Sequence, residues 1–366
     1  MLSFNTSVQN VAYTLIIILG VGYILHCGAG IILPFVFALL FAMVLYPIDK
    51  LIGRDIKVKW LSIILSFVMV LLPLTIVTLL FSMQLMNIVD SLPTIQSDLK
   101  TGIERAIQTL ENSVPFLEIN SKQLLSDNIN LLLNGPMNLV KEGLWSSTQI
   151  IAAGALTFIY TFFILLYRKS FKAFVIYQFE NRFRKDIRDT LSQIKETVQA
   201  YVGGLAIVMV ILSVLNSLGL WIIGVKYPFF WGTLAGVLAI IPYLGTLLGG
   251  LLPFLFSLAT ADYSWQPIAI AAYYIFIQQV EGNLITPKIV GDKVNINPMF
   301  AILSLVFFGT FWGIGGVVLA LPIISVIRIM LDQFDQTKPI AMLLSSEISI
   351  NASKFQKWAD NPHEVE

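Results

Sequence analysis

The sequence predicts an all-α polytopic membrane protein with about eight transmembrane helices. Three observations carry this prediction. Of the 366 residues, 57% are hydrophobic and only 12% charged, where soluble domains carry about 25% charged residues. The first charged residue in the chain is Asp49. Beyond it, uncharged runs recur at residues 60–89, 143–167, 197–225, 227–261, 263–280 and 294–327, each long enough for a bilayer core that needs about 20 residues.

Taken in order, Gly28 and Gly30 divide the opening run into spans at 11–25 and 31–48, which reads as a tight hairpin. The first apolar segment lacks the positive flank of a cleaved signal, and bulky His26 precedes Cys27 where lipid attachment would want a small residue, so it reads as a retained anchor. Further spans are expected at 60–82, 145–167, 198–225, 229–258, 264–280 and 299–329. The connection 49–59 carries Lys50, Arg54, Lys57 and Lys59, and the segment 168–197 is rich in Lys and Arg. The positive-inside rule puts both in the cytoplasm, with both termini inside. Trp60, Trp145, Trp221, Trp231 and Trp265 fall near segment ends, where indole rings favour the interface.

Two apolar runs strain this count. Thirty-five uncharged residues at 227–261 would make about 52 Å of helix against a core of about 30 Å. Pro242, Gly245, Gly249, Gly250 and Pro253 are breakers there, so the segment is either one discontinuous span or a re-entrant hairpin. The last run has Gly309, Gly313, Gly315 and Gly316 in its middle.

The organisation expected is thus 1–83 with three transmembrane helices, 84–144 extracytoplasmic, 145–167 a fourth helix, 168–197 a charged cytoplasmic helix, 198–331 four more helices, and 332–366 a cytoplasmic tail. Leu85, Ile88, Val89, Leu92, Leu99, Ile103, Ile107 and Leu110 recur at three- and four-residue steps, the mark of an amphipathic helix, here interrupted near Pro93. Its apolar stripe must pack on itself, on the membrane surface or on a second subunit.

Composition also excludes functions. With 23 Lys and Arg against 22 Asp and Glu, the chain has no basic excess for nucleic acid. Cys27 is the sole cysteine and His26 and His363 the only histidines. No His pair is available for a metal, no carboxylate neighbours His26 for a hydrolytic dyad, and no phosphate-binding loop is present. The chain reads as no enzyme, with no cofactor and no metal.

The polar residues of the last third are the candidate ion or substrate pathway. Helical spacing puts Gln278 and Glu281 on one side and Gln279 and Asn283 on a neighbouring one. A carboxylate at membrane depth usually faces a cavity or a partner. Pro242 and Gly245 mark a broken helix whose free backbone groups can bind a substrate or ion. Asn216 and the pairs Gly232/Gly236, Gly245/Gly249 and Gly309/Gly313 read as packing features.

The order Ile241-Pro242-Tyr243-Leu244-Gly245, then Gln278-Gln279-Val280-Glu281-Gly282-Asn283 with Pro287, then Gly309-Thr310-Phe311-Trp312-Gly313-Ile314-Gly315-Gly316 and Ala320-Leu321-Pro322 resembles the autoinducer-2 exporter family. The resemblance implies an eight-span carrier or pore in the bacterial inner membrane, assembled as a homo-oligomer, that moves a small polar solute or a cation. Pro287, Gly309, Trp312, Gly313, Gly315, Gly316 and Pro322 belong to that signature. Three functions stay open: export of a small polar metabolite of the autoinducer-2 type, sodium–proton antiport through Glu281, and a membrane scaffold that binds partners through residues 84–142.

Overall fold

The computed structural model describes residues 8–113, 147–241, 244–261, 263, 265–290, 295–334 and 336–346. All regular elements among them are helical: α1 (Val8–Cys27), α2 (Ala29–Asp55), α3 (Lys59–Ser113), α4 (Ser147–Tyr177), a 3-10 turn (Asn181–Phe183), α5 (Arg184–Ile223), α6 (Pro228–Leu238), α7 (Leu244–Thr260), α8 (Trp265–Val280), a π-helical turn (Glu281–Ile285), α9 (Thr286–Ile289), α10 (Pro298–Asp332) and α11 (Lys338–Leu344). Six stretches are long and apolar enough to cross a membrane: Ala29–Asp55, Lys59–Ile88, Ile150–Tyr177, Asn181–Ile223, Trp265–Ile289 and Pro298–Asp332. The chain is therefore an all-α polytopic membrane protein.

Proline is well tolerated in these helices. Pro34 and Pro47 lie inside α2, Pro253 inside α7 and Pro322 inside α10, because neighbouring groups in a membrane bundle re-satisfy the freed carbonyls. The same tolerance corrects the break expected near Pro93, since α3 runs through it to Ser113. The rest of the outer stretch, residues 114–146 with Trp145, lies outside the described residues. The charged segment 168–197 is not a separate helix either. Its first part completes α4 and its last part opens α5, with the turn at 178–183 between them.

The described residues fall into two compact units. One draws on Met1–Ile64, Gln149–Gln199 and Val294–Glu366. In it, Gly28 alone departs from helical geometry between α1 and α2, at φ −81° and ψ 5°. Gly28 still donates to the Ile24 carbonyl, and Ile32 to that of Gly28. The tight hairpin expected here is thus a one-residue bend, and Tyr13, Ile16, Leu19 and Tyr23 stay exposed instead of packing along α2. At the far end of α2, Asp49 is 3% exposed. It is paired with Arg168 of α4 and accepts from Ser62 Oγ at 2.8 Å. Lys59 donates to the Leu166 carbonyl, so the last turns of α2, the start of α3 and the stretch of α4 at 166–168 meet at one polar junction, and further along α2 the Met43 carbonyl accepts from Gln199 of α5.

In the same unit α10 is no single span. Its 35 residues would extend about 52 Å if straight. Trp312 (φ −131°, ψ 15°) and Gly313 (φ 63°, ψ −147°) interrupt it, and the chain doubles back. Gly309 faces Val317, and a Cβ on Gly316 would fall on the Phe308 carbonyl. The start of α10 meets the end of α11, where Asn297 N–H donates to the Leu344 carbonyl at 2.8 Å, a contact that a straight α10 could not reach. The tip rests on the α1–α2 bend: Trp312 Nε1 donates to the Leu25 carbonyl at 3.2 Å, and His26 Nδ1 lies 3.0 Å from that of Phe311. Pro322 is buried in the returning arm.

The second unit draws on Leu65–Thr148 and Ala200–Lys293. Here the run 227–261 folds as two short helices. α6 has 11 residues and α7 has 17, about 16 and 26 Å, neither spanning a core of about 30 Å. Gly245 abuts the Leu238 carbonyl, and a Cβ on Gly249 would lie 2.8 Å from that of Ala235. The two helices are antiparallel arms of a hairpin, in place of the single span counted at 229–258. Trp231 corrects the interface reading: it is 8% exposed, packed on Phe230 and Phe256, while Trp60, Trp221 and Trp265 are exposed.

The α10 turn gives a test by glycine replacement in detergent-solubilised protein. Gly315→Ala has room, with Leu33 and Phe37 at 3.6 Å, and is expected to leave the melting temperature unchanged. Gly313→Ala, forced into a left-handed conformation, should cost about 1–2 kcal/mol. Gly316→Ala should lower the melting temperature further than either. Equal tolerance of all three would mean that the arms do not close there.

Candidate functional site

The second unit is built on close helix approach. Gly232 and Gly236 of α6 lie against Ser217 and Ser213 of α5, so tightly that a Cβ at either position would overlap the serine hydroxyl. Ser213 disposes of its hydroxyl by donating to the Met209 carbonyl at 2.7 Å. α8 closes on the same elements, with Gly219 beneath the Tyr273 ring and Gly250 of α7 against the Tyr274 ring. Tyr273 Oη donates to the Leu215 carbonyl at 2.7 Å. Gln84 of α3 accepts from Phe230 N–H at 2.8 Å, which satisfies a first-turn donor of α6. Gln266 of α8 donates to the Ile223 and Gly224 carbonyls at 3.2 and 3.3 Å and closes the end of α5.

Against this background a set of polar atoms stands out. Among the described residues, six buried side-chain atoms have no hydrogen-bond partner: Asn216 Oδ1, Ser217 Oγ, Trp231 Nε1, Ser257 Oγ, Tyr274 Oη and Glu281 Oε2. All six belong to the second unit, on α5, α6, α7, α8 and the π-helical turn. Stranded polar groups are rare in native interiors, and each costs about 1–3 kcal/mol when unmet. Together they offer donors (Trp231, and the hydroxyls of Ser217, Ser257 and Tyr274) and acceptors (Asn216, Glu281), the equipment for a small polar molecule.

Glu281 opens the π-helical turn, a distortion that often accompanies function. It lies two helical turns beyond Tyr274 on the same face. Since Gly250 meets Tyr274 and α7 and α8 run antiparallel through a short connection, two turns back along α7 reaches its start. Glu281 therefore stands at the level of the α6–α7 turn, near Gly245, which is buried. Pro242 lies outside the described residues. Gln278 and Gln279 are exposed, and Asn283 Nδ2 donates to the Gln279 carbonyl and Oε1 at 2.9 and 3.1 Å. Pro287 is exposed at the start of α9. The sequence reading set Asn216 among packing residues and missed Ser217, Ser257 and Tyr274. Serine and tyrosine in an apolar run carry no sequence signal that separates a hydroxyl bonded to its own helix from a stranded one.

A bundle of apolar helices with broken hairpins and an internal polar set defines a membrane transporter. The model of the AI-2E family transporter matches residues 13–336, and the chain belongs to that family. It is 25% identical over 342 residues to the AI-2 transport protein TqsA of Escherichia coli, covering 90% of this chain and 95% of that one. A "Putative transport protein" of Haemophilus influenzae is 25% identical over 351 residues, 94% of this chain and 97% of its own. A third relative, YrrI of Bacillus subtilis, is 31% identical over 42% of this chain and 40% of its own. Neither of the first two names speaks of sodium–proton antiport.

Two neighbouring tyrosines test whether the stranded groups are what they seem by geometry. Tyr273→Phe loses a bond and should cost about 1 kcal/mol of stability. Tyr274→Phe removes an unbonded hydroxyl and should change thermal stability by less than about 0.5 kcal/mol in either direction. Equal destabilisation by the two variants would reveal a partner for Tyr274.

Proposed function

We propose that this transporter exports a small polar metabolite of the autoinducer-2 type, and that the solute binds in the second unit among α5, α6, α7 and α8. The observation that carries the reading is the confinement of all six stranded polar atoms to that unit. Glu281 lies two helical turns from Tyr274 on one side, and Ser257 with Trp231 about two turns from it on the other, so the six groups bond the solute in succession along its path, Glu281 and Asn216 accepting and Ser217, Ser257, Tyr274 and Trp231 donating. Gly245 lets the hairpin turn close over the site. Gln278, Gln279 and Asn283 form an exposed polar face at its edge, on the path by which solute enters or leaves. Support for the solute class comes from the E. coli relative, whose name is AI-2 transport protein.

The protein is placed in the bacterial inner membrane with the junction of Asp49, Lys59, Arg168 and Lys195 on the cytoplasmic side. Support comes from the meeting of the two basic connections at one end of the first unit. The reading includes a homo-oligomer and no catalysis by the chain itself.

Purified protein in vesicles loaded with the autoinducer-2 furanone is the test. Wild type should release the solute faster than protein-free vesicles. Glu281→Gln and Tyr274→Phe should slow release about tenfold, the value of a hydrogen bond lost from a buried polar site. Release by both variants at the wild-type rate would refute the site. Failure of the wild type to move this or any other small polar solute would refute the function.

A further inference from the structure

A cavity of about 430 Å3 lies in the first unit, between the cytoplasmic ends proposed for α2 and α4 and the start of α5. One side is cationic, lined by Arg168, Lys169, Lys172 and Lys195, and no carboxylate lines it. Asp49, just behind, is buried and already shared by Arg168 and Ser62. It offsets the guanidinium charge and leaves the three lysines uncompensated. Among the described residues the ion pairs are Arg168–Asp49 and Arg182–Glu180, so none of these lysines is held by an acid. Tyr46 sits at the centre of the cationic side, with the Arg168 guanidinium 4.7 Å and the Lys195 ammonium 4.4 Å from its ring centroid. It spaces the two cations without neutralising them.

Toward the apolar parts of α2 and α4 the lining is formed by Leu39, Ala42, Met43, Ile164 and Leu165. It runs from within the apolar parts of α2 and α4 up to the point where α4 acquires its charges. Tyr167 is exposed there, an amphipathic ring of the kind enriched at the boundary between hydrocarbon and water. A free anion would use only the cationic side. A molecule with a phosphate at one end and a hydrocarbon chain at the other uses both.

We propose that this cavity is a binding site for an anionic phospholipid, with the headgroup phosphate on Lys169, Lys172 and Lys195 and an acyl chain along Leu39 and Ile164. Basic pockets between transmembrane helices at the membrane surface recognise such headgroups. The site is separate from the solute site proposed above and involves none of its residues.

The test uses the full chain, purified in a neutral detergent and titrated with phosphatidylglycerol, phosphatidylcholine or inorganic phosphate. Thermal stability and lipid retained in native mass spectrometry are read together. Phosphatidylglycerol should raise the melting temperature and remain bound, whereas phosphatidylcholine and phosphate should do neither. In the K169Q/K172Q variant, phosphatidylglycerol should bind about 30-fold more weakly, while stability in phosphatidylcholine stays at the wild-type level. If the double variant does not fold, K172Q alone is titrated and should bind about fivefold more weakly. An equal response to inorganic phosphate would identify a soluble anion as the ligand and overturn the lipid assignment. Wild-type affinity in the folded variant would overturn the site itself.

Discussion

Inside hydrocarbon, a polar group that finds no partner in the protein finds none at all, and most of this chain is arranged to meet that demand. The hydroxyls of Thr75, Thr78 and Ser82 donate to carbonyls one turn back along α3. Buried Asp49 is answered by a guanidinium and a hydroxyl. Gln84 and Gln266 close the ends of other helices. The six unmet atoms of the second unit depart from this rule together, at neighbouring helices, which is why a ligand is a better account of them than six separate faults of packing.

The two hairpins follow from the same constraint combined with close approach. A chain can reverse within an apolar environment only if its turn is shielded by packed helices. Both reversals are lined by glycines that allow helix arms to meet. In α10, Gly313 takes the left-handed turn and Gly316 admits the Phe308 carbonyl. In α6 and α7, Gly245 and Gly249 bring the arms together while Gly232 and Gly236 press α6 onto α5. Bulky side chains at these positions would hold the helices apart and admit lipid tails between them, so the glycines that read as packing features also set the dimensions of the polar site.

Much of the fold was legible because composition and charge-free runs report directly on the bilayer. The class of protein and most helix positions follow from them. What was not legible depended on direction. An uncharged run of 35 residues with glycines in its middle says that something must break, and it does not say whether the chain bends or reverses. Only contacts such as Asn297 with Leu344 resolve that for α10. The same ambiguity turned the α1–α2 hairpin into a bend, since Gly28 permits either. Glu281 was visible as a lone acid at membrane depth, but its neighbours Gln278, Gln279 and Asn283 drew notice only by proximity in sequence, and they lie on an exposed face. Ser217, Ser257 and Tyr274 look ordinary in sequence and become informative only when their partners are known.

On the reading proposed above, the stranded polar atoms of the second unit line a path that solute reaches. Cys27 is the sole cysteine and is exposed, so a Cys27→Ser background permits single-cysteine probes at Ser217 and Ser257. Both should react with a small hydrophilic thiol reagent in membranes, and the transported solute should slow that reaction. Two inert cysteines, under conditions in which Cys27 of the wild-type protein reacts readily, would show a sealed and dry interior and contradict the account.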